Sequence, residues 1–363
     1  MRLFNPVHTQ LSGKSVGSFS ASTMASMQKL RIGVLSTAKI GLKKVIPGMQ
    51  RGHLTEVAAI ASRSLEPARK AAAELKIQKA YGSYEELLAD AELDAVYIPL
   101  PNDLHVEWTA KAARAGKHVL CEKPIALNAL QAETLLAVQR ETGVKIAEAF
   151  MVKLHPEWIR ARELIAQGRI GELRLVAGTF SYFNDDPNNI RNKPENGGGA
   201  LMDIGCYQVF AARQLFGAEP SRVLALIDRD PTTKIDRLTS FLLDFPAGHA
   251  NFTCSTQSIP YQRVQALGTK GRIELEIPVN IPPDRNVRLF LDREGDLFGK
   301  SVMTELFPPE EGGIDQYSLQ GDAFAQAIFD NTEVPVPLTA AIQNMKVIDA
   351  LFRSAESRQW ETP

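Results

Sequence analysis

A lysine, an aspartate and a tyrosine in this sequence have the types and spacing of a proton-transfer centre. Lys123 closes the run His118-Val119-Leu120-Cys121-Glu122-Lys123-Pro124, and Asp203 and Tyr207 lie in Ala200-Leu201-Met202-Asp203-Ile204-Gly205-Cys206-Tyr207. If the second segment is helical, Asp203 and Tyr207 are one turn apart and share a face. A tyrosine titrates at about 10 when unperturbed, too high for an efficient base at neutral pH. A nearby ammonium favours the tyrosinate and lowers that value. The pattern predicts that Tyr207 takes a proton from a substrate hydroxyl, that Lys123 orients the hydroxyl and tunes the phenol, and that Asp203 holds a neighbouring hydroxyl.

A second group of residues has the chemistry of a phosphate cradle. The fingerprint for dinucleotides is G-x-G-x-x-G between a first strand and its helix. Here that place holds Ser36-Thr37-Ala38-Lys39-Ile40-Gly41, with Ser and Ala replacing the first two glycines. Both are small enough to let a pyrophosphate approach the backbone, where a helix N-terminus supplies N–H donors. The second strand ends Ala61-Ser62-Arg63, with no acid for a ribose 2′-hydroxyl. Arg63 instead offers a planar cation suited to a phosphate, and Ser62 a hydrogen bond, so NADP is expected over NAD.

The elements that must position these groups follow a regular pattern up to about Phe150. Apolar runs at Leu30–Leu35, Val57–Ala61, Ala95–Ile98, His118–Cys121 and from Lys145 read as strands. Helical stretches separate them at Ile40–Gln50, Leu65–Leu75, Tyr84–Ala89, Val106–Ala115 and Leu130–Thr142. Such alternation specifies a parallel, doubly wound sheet that binds ligands at the carboxyl ends of its strands, where Lys123 falls. The remainder reads as strands with few helices: 173–182, 221–225, 237–245, 249–256, 264–268, 272–277 and 287–291. Short turns between them predict a mostly antiparallel sheet, with a hairpin at Pro246-Ala247-Gly248. A helix over Thr339–Ser357 closes the chain. The expected units are an extension over 1–28, disordered or an arm; a nucleotide-binding domain over 29–150; a substrate and oligomerisation domain over 151–338; and a terminal helix and tail over 339–363.

Composition narrows the partners. Lysine and arginine number 41 against 42 acidic residues, which leaves no basic excess for a phosphate backbone and argues against nucleic acid. No apolar run reaches the length of a membrane helix. The three cysteines, Cys121, Cys206 and Cys254, show no paired spacing for a metal or a disulfide framework, which suggests a reducing, cytoplasmic setting and no metal. The first 28 residues lack any acid and have no continuous apolar region, a poor fit to a secretory signal.

Three segments together carry a family resemblance: Leu100-Pro101-Asn102-Asp103-Leu104-His105, Cys121-Glu122-Lys123-Pro124, and Gly197-Gly198-Gly199 running to Tyr207. From Leu30 onward the chain resembles the glucose–fructose oxidoreductase, inositol dehydrogenase and MocA family. Tyr207 stands where many members have histidine, which resembles the subgroup of glucose–fructose oxidoreductase, dimeric dihydrodiol dehydrogenase and NADP-linked xylose dehydrogenases. The resemblance implies an α/β chain with an N-terminal Rossmann domain and a C-terminal α+β domain on an open, mostly antiparallel sheet. It implies that Leu100, Pro101, Asn102, His105, Glu122 and Lys123 line the cofactor, Glu122 at the nicotinamide ribose. The implied activity is NADP-dependent hydride transfer on a sugar, either as a dehydrogenase exchanging its cofactor or as an aldose–aldose oxidoreductase that retains it. A non-catalytic NADP-sensing regulator of the same fold is the alternative, and retention of Lys123 and Tyr207 argues against it. By analogy with relatives, the second sheet would pair with a copy of itself, as a dimer or tetramer. Arg191 and His155 are further candidates for substrate contact; a solvated arginine and a structural histidine are the competing readings.

Overall fold

The computed structural model describes residues 28–293, 302–307 and 315–363; the expected N-terminal extension lies almost wholly outside them. Six strands form the first sheet: β1 (Leu30–Leu35), β2 (Thr55–Ala61), β3 (Lys79–Tyr81), β4 (Ala95–Ile98), β5 (His118–Cys121) and β6 (Ile146–Glu148). They run parallel in the order β3-β2-β1-β4-β5-β6, so the order reverses between β1 and β4. Strands buried on both faces read as continuous apolar runs, and β4 is buried along its whole length. Strand β3 was not expected; it is a three-residue edge strand of intermediate exposure.

The second sheet contains β7 (Leu173–Phe183), β8 (Arg222–Arg229), β9 (Asp236–Phe245), β10 (Gly248–Ser255), β11 (Gln257–Gly268), β12 (Arg272–Leu275), β13 (Val287–Asp292) and β14 (Val302–Phe307). Its order is β14-β13-β12-β11-β7-β10-β9-β8, antiparallel except for the β7–β10 pair. The expected hairpin is present, with Phe245 opposite Gly248 and Pro246-Ala247 as its turn. Alternation sends Val176, Val223, Phe241, Leu243, Phe252 and Val264 into the core. The covering layer includes the helices Cys206–Phe216 and Leu338–Ser357, through bonds such as Gln208 Nε2 to the Thr253 carbonyl (2.9 Å) and the Ala225 N–H to Ser354 Oγ (3.1 Å). The opposite face is open, with Leu226 77% and Ile259 81% exposed.

Two helices depart from the expectation of a strand-rich second half. Pro156–Ala166 begins at His155, whose Nδ1 accepts the Glu157 N–H. Gln316–Phe329 packs on the short helix Ile46–Arg51 of the first domain. There Asp322 accepts the N–H groups of His53 and Leu54 (2.8 Å each), and Ser318 donates to the Gly48 carbonyl (2.6 Å). The approach demands glycine at 48, where a Cβ would lie 2.5 Å from that of Tyr317. The final helix also reaches the first domain, Asp349 accepting the Ala129 N–H. These contacts close the first domain against the rest of the chain and frame the cleft at its strand ends. Among the described residues no helix is long and apolar enough to cross a membrane.

Candidate active site

The cleft lies where the strand order of the first sheet reverses, the usual ligand site of an open parallel sheet. Its volume is about 720 Å³, and its walls include Ala38–Ile40 after β1, Pro99 and Leu100 after β4, Glu122 and Lys123 after β5, and Asp203 and Tyr207. Ser36 turns the chain out of β1 at φ 134°, a conformation that favours glycine. Its hydroxyl offsets the strain by donating to the Pro99 carbonyl (3.0 Å) and accepting the Ala38 N–H (3.2 Å). Serine thus does by hydrogen bonding what the first fingerprint glycine does by conformational freedom.

The loop fits a dinucleotide. Ala38, Lys39 and Ile40 line the cleft at the start of a helix, where first-turn N–H groups lack intrahelical partners. Arg63 is exposed just past β2 with no carboxylate beside it in sequence, while Ser62 is nearly buried, its N–H on the Tyr81 carbonyl. Ser36, Thr37, Ser62, Arg63 and Pro101 do not line the cleft itself. Asn102 does, and its amide donates to the Gly197 carbonyl (2.9 Å), joining the loop after β4 to the glycine turn.

Lys123, Asp203 and Tyr207 come together from segments far apart in the chain. Lys123 Nζ donates to the Asp203 carbonyl (2.6 Å) and reaches its Oδ1 (3.3 Å). It sits 4.8 Å from the centre of the Tyr207 ring. Asp203 Oδ2 accepts from Tyr182 Oη (2.5 Å) and Arg191 Nε (2.9 Å). Burial works against the Asp203 charge, yet Arg191, Lys123 and the Tyr182 hydrogen bond outweigh it and hold the carboxyl well below its usual range. Burial likewise opposes the Lys123 charge, but Asp203 more than restores it and raises the ammonium's pKa. Glu122 is tied by Tyr97, whose buried hydroxyl donates to Oε1 (2.7 Å).

Tyr207 differs from expectation. Lys123 faces its ring rather than its hydroxyl, and the Asp203 carboxylate offsets the lysine's charge. Burial first, then the charge of Glu122, push the phenol well above its ordinary value. Its hydroxyl points to Met151 Sδ (3.6 Å), so the group rests as a neutral proton donor rather than a lowered-pKa base.

Two histidines read as site candidates turn out to be structural. His105 is fully buried and does not line the cleft; its ring nitrogens face the Pro124 carbonyl (2.7 Å) and the Leu100 carbonyl (2.8 Å), bracing the two loops against each other. His155 is 2% exposed, caps its helix and stays neutral, burial lowering its pKa to about 4. Arg191 does line the cleft, but its Nε is committed to Asp203. Its backbone carbonyl accepts the Gly199 N–H (2.8 Å) and would meet a Cβ on Gly198 at 2.5 Å, which is why the turn is glycine-rich.

Sequence reasoning missed Tyr182, Lys43, Lys44, Asn280 and Tyr317, all of which line the cleft. Tyr182 is the next-to-last residue of β7, beside an irregular stretch of β11 where pairing jumps from Gln257 (opposite Phe183) to Tyr261 (opposite Ser181). A bulge of this kind re-aims a side chain and leaves no mark in a hydrophobic pattern.

Comparison with known proteins bears on this arrangement. Residues 30–150 match the family described as an oxidoreductase family with an NAD-binding Rossmann fold, and residues 158–274 match the GFO/IDH/MocA C-terminal domain. The chain is 40% identical over 332 residues to D-xylose 1-dehydrogenase (NADP(+)) 2 of Haloferax volcanii, covering 90% of this chain and 98% of that protein. It is also 40% identical over 332 residues to the dTDP-3,4-didehydro-2,6-dideoxy-alpha-D-glucose 3-reductase of Actinomadura kijaniata, covering 91% and 97%. The crystal structure of aldose-aldose oxidoreductase from Caulobacter crescentus complexed with glycerol superposes with a TM-score of 0.83 at 26% identity, covering 93% of this chain and all of that one.

Proposed function

The chain belongs to the GFO/IDH/MocA oxidoreductase family, and from that membership we propose that it transfers hydride between NADP and an oxygen-bearing carbon of an aldose. The observation that carries this reading is the meeting of Lys123, Asp203 and Tyr207 in the cleft at the strand-order reversal. NADP supplies or takes up the hydride. The chain's own part is to hold the reacting oxygen and manage its proton. Tyr207, neutral at rest, donates its proton to a carbonyl oxygen during reduction; in the oxidation direction it first releases that proton to solvent, and the tyrosinate takes the hydroxyl proton as hydride leaves the same carbon. Lys123, held as a cation by Asp203, stabilises negative charge developing on that oxygen. Ala38–Ile40 hold the pyrophosphate, Arg63 and Ser62 the 2′-phosphate, and Glu122 the nicotinamide ribose.

The relatives support a sugar substrate. One is named for D-xylose, one for a nucleotide-linked keto sugar and one for paired aldoses. The test is absorbance at the reduced-nicotinamide band, with dialysed protein and a panel of aldoses including D-xylose, with and without added NADP. The expected result is an aldose-dependent band that disappears in a Tyr207→Phe variant still binding NADPH. A band without added NADP would assign the cofactor-retaining, aldose–aldose version. Inertness toward every sugar with NADPH binding intact would overturn the enzyme reading in favour of a regulator. In the same proposal the open face of the second sheet, with Leu226, Leu242, Ile259 and Tyr261 exposed, contacts a second copy; a monomer by light scattering would refute it.

A further inference from the structure

Asp203 is bound on three sides, and only one of its partners belongs to the proton-transfer pair. Lys123 takes Oδ1 and the backbone carbonyl, while Tyr182 and Arg191 share Oδ2. Tyr182 and Arg191 come from different elements, the end of β7 and the short turn Ile190–Asn192. Each is itself anchored. Ser181 Oγ donates to the Ile259 carbonyl (2.7 Å) across the irregular stretch of β11, and the Arg191 backbone is held by Asn189 Oδ1 and the glycine turn. A carboxylate gripped by two fixed donors has one orientation left, and that orientation sets where its other oxygen meets Lys123.

Resting on the proposed activity, we infer that Tyr182 is a positioning residue: through Asp203 it fixes the Lys123 ammonium over the Tyr207 ring at the mouth of the reacting centre. The tyrosine contributes as a neutral hydrogen-bond donor. Unlike Arg191, it lets the carboxylate keep its negative charge available to Lys123. Removing the hydroxyl leaves Oδ2 of Asp203 held by Arg191 Nε alone, so the carboxylate is less firmly oriented toward Lys123. The lysine then samples positions from which it no longer faces the reacting oxygen, while the cleft's shape barely changes.

The test is Tyr182→Phe in the full chain, with thermal melting to establish that it folds and NADPH fluorescence to establish that the cofactor site is intact. Lys123 is read directly, without turnover, as the rate at which an amine-reactive label modifies it, measured by peptide mass spectrometry. The expected result is several-fold faster labelling of Lys123 in the variant. With an aldose that the wild type oxidises, kcat should fall roughly tenfold with KM within about twofold, the scale of one lost hydrogen bond to a charged group. Unchanged labelling would overturn the inference. So would a raised KM with preserved kcat, which would make Tyr182 a substrate contact. If the wild type oxidises no sugar, the labelling comparison still decides the role of Tyr182, and only the activity reading fails.

Discussion

Ser36 offers a comparison in which two substitutions that both delete a hydroxyl should behave differently. Its φ of 134° lies where non-glycine residues are rare, and holding it there costs on the order of 1–3 kcal/mol. Its side chain returns part of that through two hydrogen bonds, to the Pro99 carbonyl and from the Ala38 N–H, each worth about 1 kcal/mol. Ser36→Ala keeps the strain and loses both bonds, so it should destabilise by about 2 kcal/mol. Ser36→Gly loses the same bonds but relieves the strain, at an unfolded-state entropy cost of about 0.5–1 kcal/mol. The glycine variant should therefore lie within about 1 kcal/mol of wild type. Urea unfolding midpoints at fixed slope separate the two cases. NADPH titration by fluorescence should give the same ranking, because a less ordered loop binds with an affinity reduced by the population of its competent form. An alanine variant as stable as the glycine variant would refute the reasoning, since it would mean the backbone at 36 stores no strain.

Three further outcomes follow from single residues. His155 is neutral in the fold with a pKa of about 4, below its ordinary 6.5, so the unfolded chain binds the extra proton first as pH falls. Its contribution is fully present above pH 6.5 and is lost progressively down to about 4, up to about 3 kcal/mol in all. His155→Asn, which still caps the helix, should lose less stability than wild type between pH 7.5 and pH 5 in urea titrations; parallel losses would contradict the assignment. Gly199→Ala should destabilise by about 3 kcal/mol or more. The new Cβ would lie 1.9 Å from Oδ1 of Asp236, at a φ of 114°, and Asp236 is pinned by the Leu201 N–H and Thr239; a normal unfolding midpoint would disprove this. Arg63→Ala should weaken NADP roughly tenfold and leave NAD within about twofold. Equal weakening of both would remove Arg63 from the 2′-phosphate site.

The first sheet was legible because strands covered on both faces, such as β1 and β4, carry uninterrupted apolar runs, and glycine-closed helices separate them. Strand β3 escaped because three half-exposed edge residues have no period to detect. The helix Gln316–Phe329 escaped for a different reason. Its buried face includes Gln316, Gln320 and Gly321, chosen for close approach to another helix rather than for hydrophobicity. The same limit governs the site. Lys123, Asp203 and Tyr207 stood out because each follows a recognisable strand end or glycine turn, yet nothing local showed that the Asp203 carboxylate would be tied to Lys123, Tyr182 and Arg191. That arrangement depends on Tyr182 and Arg191, placed by a β irregularity and a loop whose geometry exists only once the sheet has formed. His105 and His155 mislead in the opposite sense: each sits beside a motif, yet both ring nitrogens of His105 face backbone carbonyls, and Nδ1 of His155 caps its helix. What separates them from Tyr207 is access: both are buried and neither lines the cleft. A polar group buried behind the cleft and bonded to the backbone braces the site, and one that lines the cleft with only a thioether for its hydroxyl, as Tyr207 does with Met151, retains its capacity for a substrate.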